Sequence, residues 1–239
     1  MAVSSIGSGQ DYTRPDRLLR HRLADRLFHW IMAVSVLVLV VTAFLPILGF
    51  KFNWVPTHWI TGLVLTVVTL FHIVRASIWQ SLGSIVPGPR DVVDGWRIVR
   101  RALVDRAAPP VRQGKYSVAQ KLYHLGITVL VLLIIATGLL MLAKIDTELW
   151  QRNPYFLSSY SWGLIYVIHG YASMALLSGL IIHVYFALRP EKLFFTRSMI
   201  VGWITRREYR DTFDPARWSA EQEEPAAETV PARSQEPAE

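Results

Sequence analysis

The sequence predicts an all-α integral membrane protein, a bundle of four transmembrane helices. Four largely apolar stretches lie at about residues 23–48, 55–79, 116–143 and 160–188. Each is long enough, as a helix, to cross a hydrocarbon core roughly 30 Å thick. The composition agrees, because 52% of the residues are hydrophobic and the mean hydropathy is +0.30. Arginine-rich segments also alternate with loops that hold few basic residues, as in multi-pass chains.

The predicted domain limits follow from composition. Residues 1–16 are expected to be a disordered arm. They are not expected to be a signal peptide, because the charged region is long and the apolar run after it is too long. Residues 17–210 form one predicted four-span domain. Residues 211–239 are rich in proline, alanine and glutamate, and are predicted to be a disordered tail.

The distribution of basic residues predicts the orientation. The N-terminal arm, the loop at residues 80–115 and the segment after Arg189 are rich in arginine, whereas the other two loops hold chiefly Lys51, Lys144 and Arg152. Because basic loops stay in the cytoplasm, both termini are predicted to be cytoplasmic. We therefore expect a multi-pass membrane protein, with the lipid bilayer as its first partner.

Two segments on the predicted cytoplasmic side are expected to form interfacial helices. Residues 91–105 have apolar side chains at helical spacing and arginines elsewhere. They predict either an amphipathic helix on the membrane surface or a loop helix packed on the spans, and both interpretations stay open. Residues 193–204, LFFTRSMIVGWI, are the second interfacial segment.

Several functional classes are excluded by what the sequence lacks. Without cysteine, this chain cannot supply disulfides or thiolate ligands for iron–sulfur or zinc sites. Its net charge of +7 comes from residues that flank apolar runs, so we expect no nucleic-acid partner. There is no nucleotide-binding glycine loop after a strand. The chain is therefore not expected to be an enzyme by itself.

Two histidines in the last apolar stretch, His169 and His183, indicate a function. They lie 14 residues apart, which on a helix is ~21 Å in height and only ~40° in direction. Each would lie near one membrane surface. Ionisable side chains inside a membrane are costly and usually functional. Because imidazole is a common axial ligand of haem iron, we predict a protein with two levels of haem.

Sorting the histidines by depth separates these levels. The outer level contains one pair on different helices, His58 and His169. The inner level contains four candidates for two ligand positions, and the residues alone leave the choice open: His29, His72, His124 and His183. For His72 and His124, an interhelical hydrogen bond or a contact with a lipid headgroup is the alternative interpretation.

Small residues beside the histidines agree with bulky cofactors. Gly62, Gly170, Ser173 and Gly179 lie near the predicted ligands and would leave room for a porphyrin edge, although small residues also allow close helix packing. A histidine-lined metal transporter is the alternative from another class. It would be expected to have Asp or Glu in the middle of the spans, and none is present.

The motifs of this chain resemble those of a known family. The chain is similar, over about residues 20–210, to the cytochrome b (gamma) subunit of membrane-bound formate dehydrogenases. These belong to a wider bacterial group of di-haem cytochromes b that serve periplasmic dehydrogenases and hydrogenases. The resemblance rests on the order and spacing of DRLFHW from Asp25, HWITG from His58, GKYSVAQKLYH from Gly114, TG at Thr137 and IHG…HVYFAL in the last span.

The resemblance implies a ligand for every haem position. It implies two haems b, an outer one held by His58 and His169 and an inner one held by His29 and His183. His72 and His124 are alternates, since either could replace His29 as ligand or relay protons to a quinone.

The resemblance also implies a quinone site on the cytoplasmic side, with menaquinone or ubiquinone as the diffusible substrate. Its expected residues are Ser117, Ala119, Gln120 and His183. Ser117 stands where the family typically has Asn, and Ala119 where it has Gly. The position of the site therefore carries over better than its hydrogen bonds.

The implied function is electron transfer between a periplasmic-side oxidoreductase, most simply a formate dehydrogenase, and the quinone pool. An iron–sulfur subunit and a catalytic subunit would dock on the outer loops, residues 49–54 and 145–159. A hydrogenase, thiosulfate or nitrate reductase-type complex is the alternative. The catalytic partner, the quinone type, the electron direction and a higher-order oligomer of the complex stay open.

Overall fold

The computed structural model describes residues 17–79, 82–108 and 111–219. The predicted arm at residues 1–16 and residues 220–239 of the predicted tail lie outside this part. The described residues form seven α-helices and two short strands. In chain order they are β1 (Arg17–Leu19), α1 (Leu23–Ile47), α2 (Trp54–Trp79), α3 (Pro89–Leu103), α4 (Val118–Leu142), α5 (Ser159–Leu188), α6 (Leu193–Val201), β2 (Trp203–Thr205) and α7 (Arg206–Thr212).

Four of the helices, α1, α2, α4 and α5, are long and apolar enough to cross a membrane. In the most apolar 18-residue stretch of each helix, only 11 to 22% of the residues are buried within the protein. Most of their apolar surface therefore faces outward, which a soluble protein does not tolerate on this scale. The predicted all-α bundle of four transmembrane helices is confirmed, and the helix ends lie within two residues of the predicted ones.

The four spans pack as two helical hairpins. Helix α1 packs along α2, α4 packs along α5, and a smaller contact between α2 and α4 joins the hairpins. An ion pair between Asp25 at the start of α1 and Arg75 near the end of α2 closes one end of the first hairpin. The outer candidate ligands His58 and His169 line the space between the hairpins.

The two ends of the domain fold together into a terminal cap, which we define as residues 17–21 and 193–219. Strand β1 pairs antiparallel with β2, with Leu18 opposite Ile204. These two side chains form a buried cluster with Phe213 and Trp218. The predicted tail therefore started too early. Residues 211–219 are packed in the fold, because the two aromatic side chains in this segment bury apolar surface.

The first predicted interfacial segment is the helix α3. Its carboxylates hold it to the fold: Asp94 is 2% exposed and accepts a 2.5 Å hydrogen bond from Arg217. Asp91 pairs with Lys121 of α4 at 3.0 Å. The apolar side chains, including Val92 and Trp96, are exposed. Placement on a membrane surface suits this arrangement and stays a prediction. The second segment, residues 193–204, forms α6 and most of β2.

One glycine permits the turn that joins α6 to β2. Gly202 has φ +94°, a conformation that side-chain-bearing residues rarely adopt. A Cβ atom there would lie 3.0 Å from the His21 carbonyl oxygen and would collide with the Arg26 guanidinium. The Gly202 carbonyl accepts hydrogen bonds from the backbone N–H groups of Arg20 at 2.8 Å and His21 at 3.0 Å. The turn thereby holds the N-terminal segment in the terminal cap.

Burial of His21 makes the stability of the cap depend on pH. Its ring is 9% exposed, and its Nε2 accepts a 3.1 Å hydrogen bond from the Arg20 guanidinium. Burial, together with the charges of Arg20 and Lys115, lowers the pKa of His21 to about 3. The folded-state pKa lies below the ordinary value of 6.5, so the unfolded chain binds the proton first. The contribution of neutral His21 to the free energy of unfolding is therefore complete above pH 6.5, and it is lost as the pH falls from 6.5 towards 3.

We expect His21→Gln to remove this pH dependence, because glutamine can accept the same hydrogen bond and does not titrate. At pH 5.5 the wild type should have lost roughly 1 kcal/mol through this group relative to pH 7.5. Thermal unfolding in detergent at the two pH values, compared between wild type and variant, measures the difference. An equal loss in both proteins would show that His21 does not titrate on unfolding in this range.

Candidate haem sites

The outer-level histidines line one cavity between the two hairpins. His58 lies near the start of α2 and His169 in the first half of α5, and both border a narrow, partly open cavity of about 40 Å³. The other lining side chains are almost all apolar and come from α1, α2, α4 and α5, among them Leu39, Phe44, Leu65, Ile134 and Leu176. The two imidazoles and Ser173 are the polar groups in this lining.

A threonine on α1 orients the ring of His58. The Thr42 hydroxyl lies 2.8 Å from His58 Nδ1 and also 2.7 Å from the Val38 carbonyl oxygen. A carbonyl can only accept, so the arrangement that uses every polar group has the hydroxyl proton on Val38 and the hydroxyl oxygen accepting the Nδ1–H of the ring. In this arrangement the proton of the neutral imidazole is on Nδ1, and Nε2 keeps an electron pair that could bind a metal.

The second hairpin repeats this arrangement. The Thr137 hydroxyl of α4 lies 2.8 Å from His169 Nδ1 of α5 and 2.7 Å from the Leu133 carbonyl oxygen. With the hydroxyl proton on Leu133, the Thr137 oxygen accepts the Nδ1–H of His169 and its Nε2 is unprotonated. Each outer histidine is therefore held by the neighbouring helix of its own hairpin, in an arrangement that suits a metal ligand.

The glycines near the histidines differ in what they do. A Cβ atom at Gly62 or Gly170 would meet nothing within 4 Å, so close packing requires neither glycine. At Gly179 a Cβ atom would lie 3.0 Å from the Ile127 side chain. Gly179 therefore allows α4 and α5 to pack closely, which is the alternative interpretation of such residues.

At the inner level the structure brings His29 of α1 and His183 of α5 together. Their ring centroids are 6.2 Å apart, with 51° between the ring planes. Metal–imidazole bonds are about 2 Å long, so two rings on opposite sides of one metal ion have centroids roughly 6 Å apart. Tyr123 stacks on His183 at 5.5 Å and donates a 3.2 Å hydrogen bond to the Gly179 carbonyl. The distance suits a pair of axial ligands.

The two alternates occupy different positions. His72 of α2 stacks on Phe28 of α1 at 3.9 Å, nearly parallel to it. His124 of α4 has an exposed side chain. Nδ1 of His29 and Nδ1 of His72 are buried and have no hydrogen-bond partner among the described residues. The inner level thus has nothing at His29 that corresponds to the threonine beside each outer ring.

Two of the expected quinone residues have structural roles. The Ser117 hydroxyl accepts the Gln120 backbone N–H at 3.2 Å, and the Gln120 side-chain oxygen accepts the Ser117 N–H at 2.8 Å. This reciprocal pair is a capping box that begins α4. Ala119 is exposed. The structure therefore brings Ser117 and Gln120 into contact with each other at the start of α4.

Sequence reasoning missed Thr42 and treated Thr137 only as part of a motif. The signal was available in part, since each is a hydroxyl residue in an apolar span at the depth of an outer histidine. Which threonine meets which histidine depends on helix rotation, which spacing along one chain does not give.

The histidine pairs differ from a site for a bare metal ion. In residues 17–79, 82–108 and 111–219, no three His, Asp or Glu side chains come together as such a site. Two imidazoles that line one apolar cavity suit a cofactor that brings its own remaining ligands, as the porphyrin of haem does. The chemistry of the outer residues fits haem on this ground, through two nitrogen donors in apolar surroundings.

The sequence of this chain is similar to known proteins. A family model described as prokaryotic cytochrome b561 matches residues 20–202. Similar relatives include the cytochrome b556(fdo) subunits of formate dehydrogenase from Escherichia coli strains K12, O6:H1 and O157:H7. Each is 23% identical over 209 residues, which cover 80% of this chain and 88% of the relative.

The family match covers all four spans and every candidate ligand. The resemblance drawn from the motifs is confirmed, and with it the expectation of a multi-pass protein of the bacterial inner membrane. The chain belongs to the prokaryotic cytochrome b561 family.

Proposed function

We propose that this chain is the di-haem cytochrome b subunit of a formate dehydrogenase-type complex, and that it carries electrons between an iron–sulfur subunit and the quinone pool. The observation that carries the proposal is a pair of histidines at each level of the bundle, on helices that can cross a membrane: His58 and His169 line one cavity, and the rings of His29 and His183 lie 6.2 Å apart. The named relatives support the choice of complex.

The ligands of the outer haem would be His58 and His169, and those of the inner haem His29 and His183. When bound, each haem b supplies a one-electron redox centre whose potential depends on ligands, burial and nearby charge. The apolar lining of the outer cavity keeps water away, and Thr42 and Thr137 orient the outer rings.

The partner subunits would dock on the two loops at the outer level. The arginine distribution supports an orientation in which the loops at residues 49–54 and 145–159 face the periplasm. Both loops carry exposed large apolar or aromatic side chains, including Phe50, Leu149 and Tyr155. Such side chains are typical of protein interfaces. An iron–sulfur subunit with its catalytic subunit is the expected occupant.

The quinone would bind on the cytoplasmic side, near the start of α4 and the inner ligand His183. In the capping box the Gln120 side-chain oxygen is already engaged, so its amide nitrogen is the group that can donate to a quinone oxygen. Ser117 and Ala119 would line the same site. Lys121 is held by Asp91 at 3.0 Å, which fixes this first turn in place.

A haem count tests the proposal directly. We expect two haems b per chain in the detergent-purified protein, measured by a pyridine haemochrome assay and a reduced-minus-oxidised spectrum. His58→Ala and His169→Ala should each lower the count to one, because each removes one ligand of the outer pair. A folded, membrane-inserted protein without a Soret band would overturn the proposal and favour the histidine-lined transporter.

A matched pair of variants tests the inner ligand. We expect His29→Ala to lose one haem and His72→Ala to keep both, because His29 lies 6.2 Å from His183 while His72 stacks on Phe28. The same spectra, with haem counted per chain, measure the outcome. The opposite result, two haems in the His29 variant and one in the His72 variant, would make His72 and His183 the inner pair.

Co-purified subunits separate the candidate complexes. We expect a formate dehydrogenase-type catalytic subunit. A hydrogenase, thiosulfate or nitrate reductase-type subunit in its place would identify the alternative complex. The quinone extracted with the complex, menaquinone or ubiquinone, identifies the diffusible substrate, and the mass of the intact complex gives the oligomer.

A further inference from the structure

We propose that Thr42 and Thr137 are positioning residues that hold the outer haem at a lower reduction potential than the inner haem, because they accept the Nδ1–H of both outer ligands. This inference rests on the proposed function. Both proposed haems would have two histidine ligands, and we attribute the difference between their reduction potentials to these two hydroxyl groups.

The neighbouring carbonyls favour one direction for these hydrogen bonds. The Thr42 hydroxyl is within reach of the carbonyl oxygens of Val38 at 2.7 Å and Leu39 at 3.1 Å. Neither carbonyl can donate, so every polar group has a partner when the hydroxyl donates to a carbonyl and its oxygen accepts the Nδ1–H of His58. Reversing this bond would take the proton away from the backbone and move the ring proton to Nε2, where it would block metal binding.

Thr137 satisfies the same conditions in the other hairpin. Its hydroxyl reaches the carbonyl oxygens of Leu133 at 2.7 Å and Ile134 at 3.1 Å, and accepts from His169. The repetition on two independent helix pairs, with the same 2.8 Å distance to Nδ1, indicates a shared role rather than an accident of packing at one residue.

Water cannot substitute for these hydroxyl groups. Thr42 is 3% exposed and Thr137 is 6% exposed. In such surroundings a hydrogen bond is electrostatically stronger than in water, and a lost partner is not replaced. The electronic effect of each threonine on its ring is therefore constant and does not depend on solvent access.

An imidazole that donates its Nδ1–H is a stronger electron donor at Nε2. A stronger donor stabilises the oxidised iron more than the reduced iron, because the oxidised iron carries the greater positive charge. The reduction potential falls as a result. Two such ligands on one haem act in the same direction.

The inner level lacks this device at His29. Its Nδ1 is buried and has no partner among the described residues, and the other ring, His183, stacks on Tyr123. The outer centre should therefore have the lower potential. Electrons moving inward in the proposed orientation approach the negatively charged side of the membrane, which opposes them. A step from lower to higher reduction potential offsets part of this opposition.

The test removes each hydroxyl without changing the shape of the side chain. In the full chain, Thr42→Val, Thr137→Val and the double variant are followed by spectroelectrochemical titration and by electron paramagnetic resonance of the oxidised haems. His58→Ala identifies which component of the titration is the outer haem. We expect the outer potential to shift upward in each single variant and further in the double variant, while the inner potential stays unchanged.

Affinity gives a second readout. Loss of such a supporting hydrogen bond typically weakens metal binding about 10–100-fold, so the outer haem should be lost first when the protein is challenged with apomyoglobin. Thr42→Ser and Thr137→Ser keep a hydroxyl and should restore the wild-type potential. If the valine variants do not assemble, the alanine variants carry the same test.

Thr69→Val is the matched control. Thr69 is an 8% exposed threonine of α2 whose hydroxyl points to the Met32 sulfur at 3.6 Å and to no histidine. It should leave both potentials at their wild-type values. Wild-type potentials and resonance spectra in Thr42→Val and Thr137→Val would overturn this inference and leave the di-haem function standing. A wild-type chain without haem would instead remove the proposed function itself.

Discussion

A polar group inside a bilayer must find its partner within the protein, and this constraint governs the whole bundle. Lipid offers no hydrogen bonds, so every imidazole in the spans needs a side chain, a backbone group or a cofactor beside it. At the outer level a threonine on the adjacent helix meets each imidazole, and the hydroxyl is itself tied to a carbonyl one turn earlier. The two hairpins are the smallest units that satisfy this requirement, and the cavity lies between them.

The spans and the two levels could be predicted from the sequence, whereas the pairing across helices could not. Helix length and the 14 residues between His169 and His183 are properties of one chain segment, and they fix depth. Contacts such as that of Thr42 with His58 depend on which helices pair and how each is rotated. Helix pairing and rotation depend on how similar apolar surfaces pack. Four spans rich in leucine and valine differ too little in sequence to predict which of them pair.

Composition misplaced one boundary for a physical reason. The segment after residue 210 has the proline, alanine and glutamate content of a disordered tail, yet Phe213 and Trp218 are 3% and 5% exposed. Two aromatic side chains are enough to bury a segment when apolar side chains elsewhere in the fold can pack against them. Here Leu18 and Ile204 are those side chains. The ion pair of Asp94 with Arg217 spans 123 residues, a separation that no local pattern reveals.

The terminal cap also bears on the inner level. Trp30, the residue after the inner candidate His29, donates its indole N–H to the Met199 carbonyl in α6 at 3.1 Å. Helix α6 leads into the Gly202 turn, whose carbonyl holds the backbone at Arg20 and His21. The cap therefore constrains the rotation of α1 within two turns of its start, and this rotation directs His29 towards His183. Depth leaves four inner histidines equivalent, and ring contacts between helices distinguish them: His29 lies 6.2 Å from His183, whereas His72 stacks on Phe28.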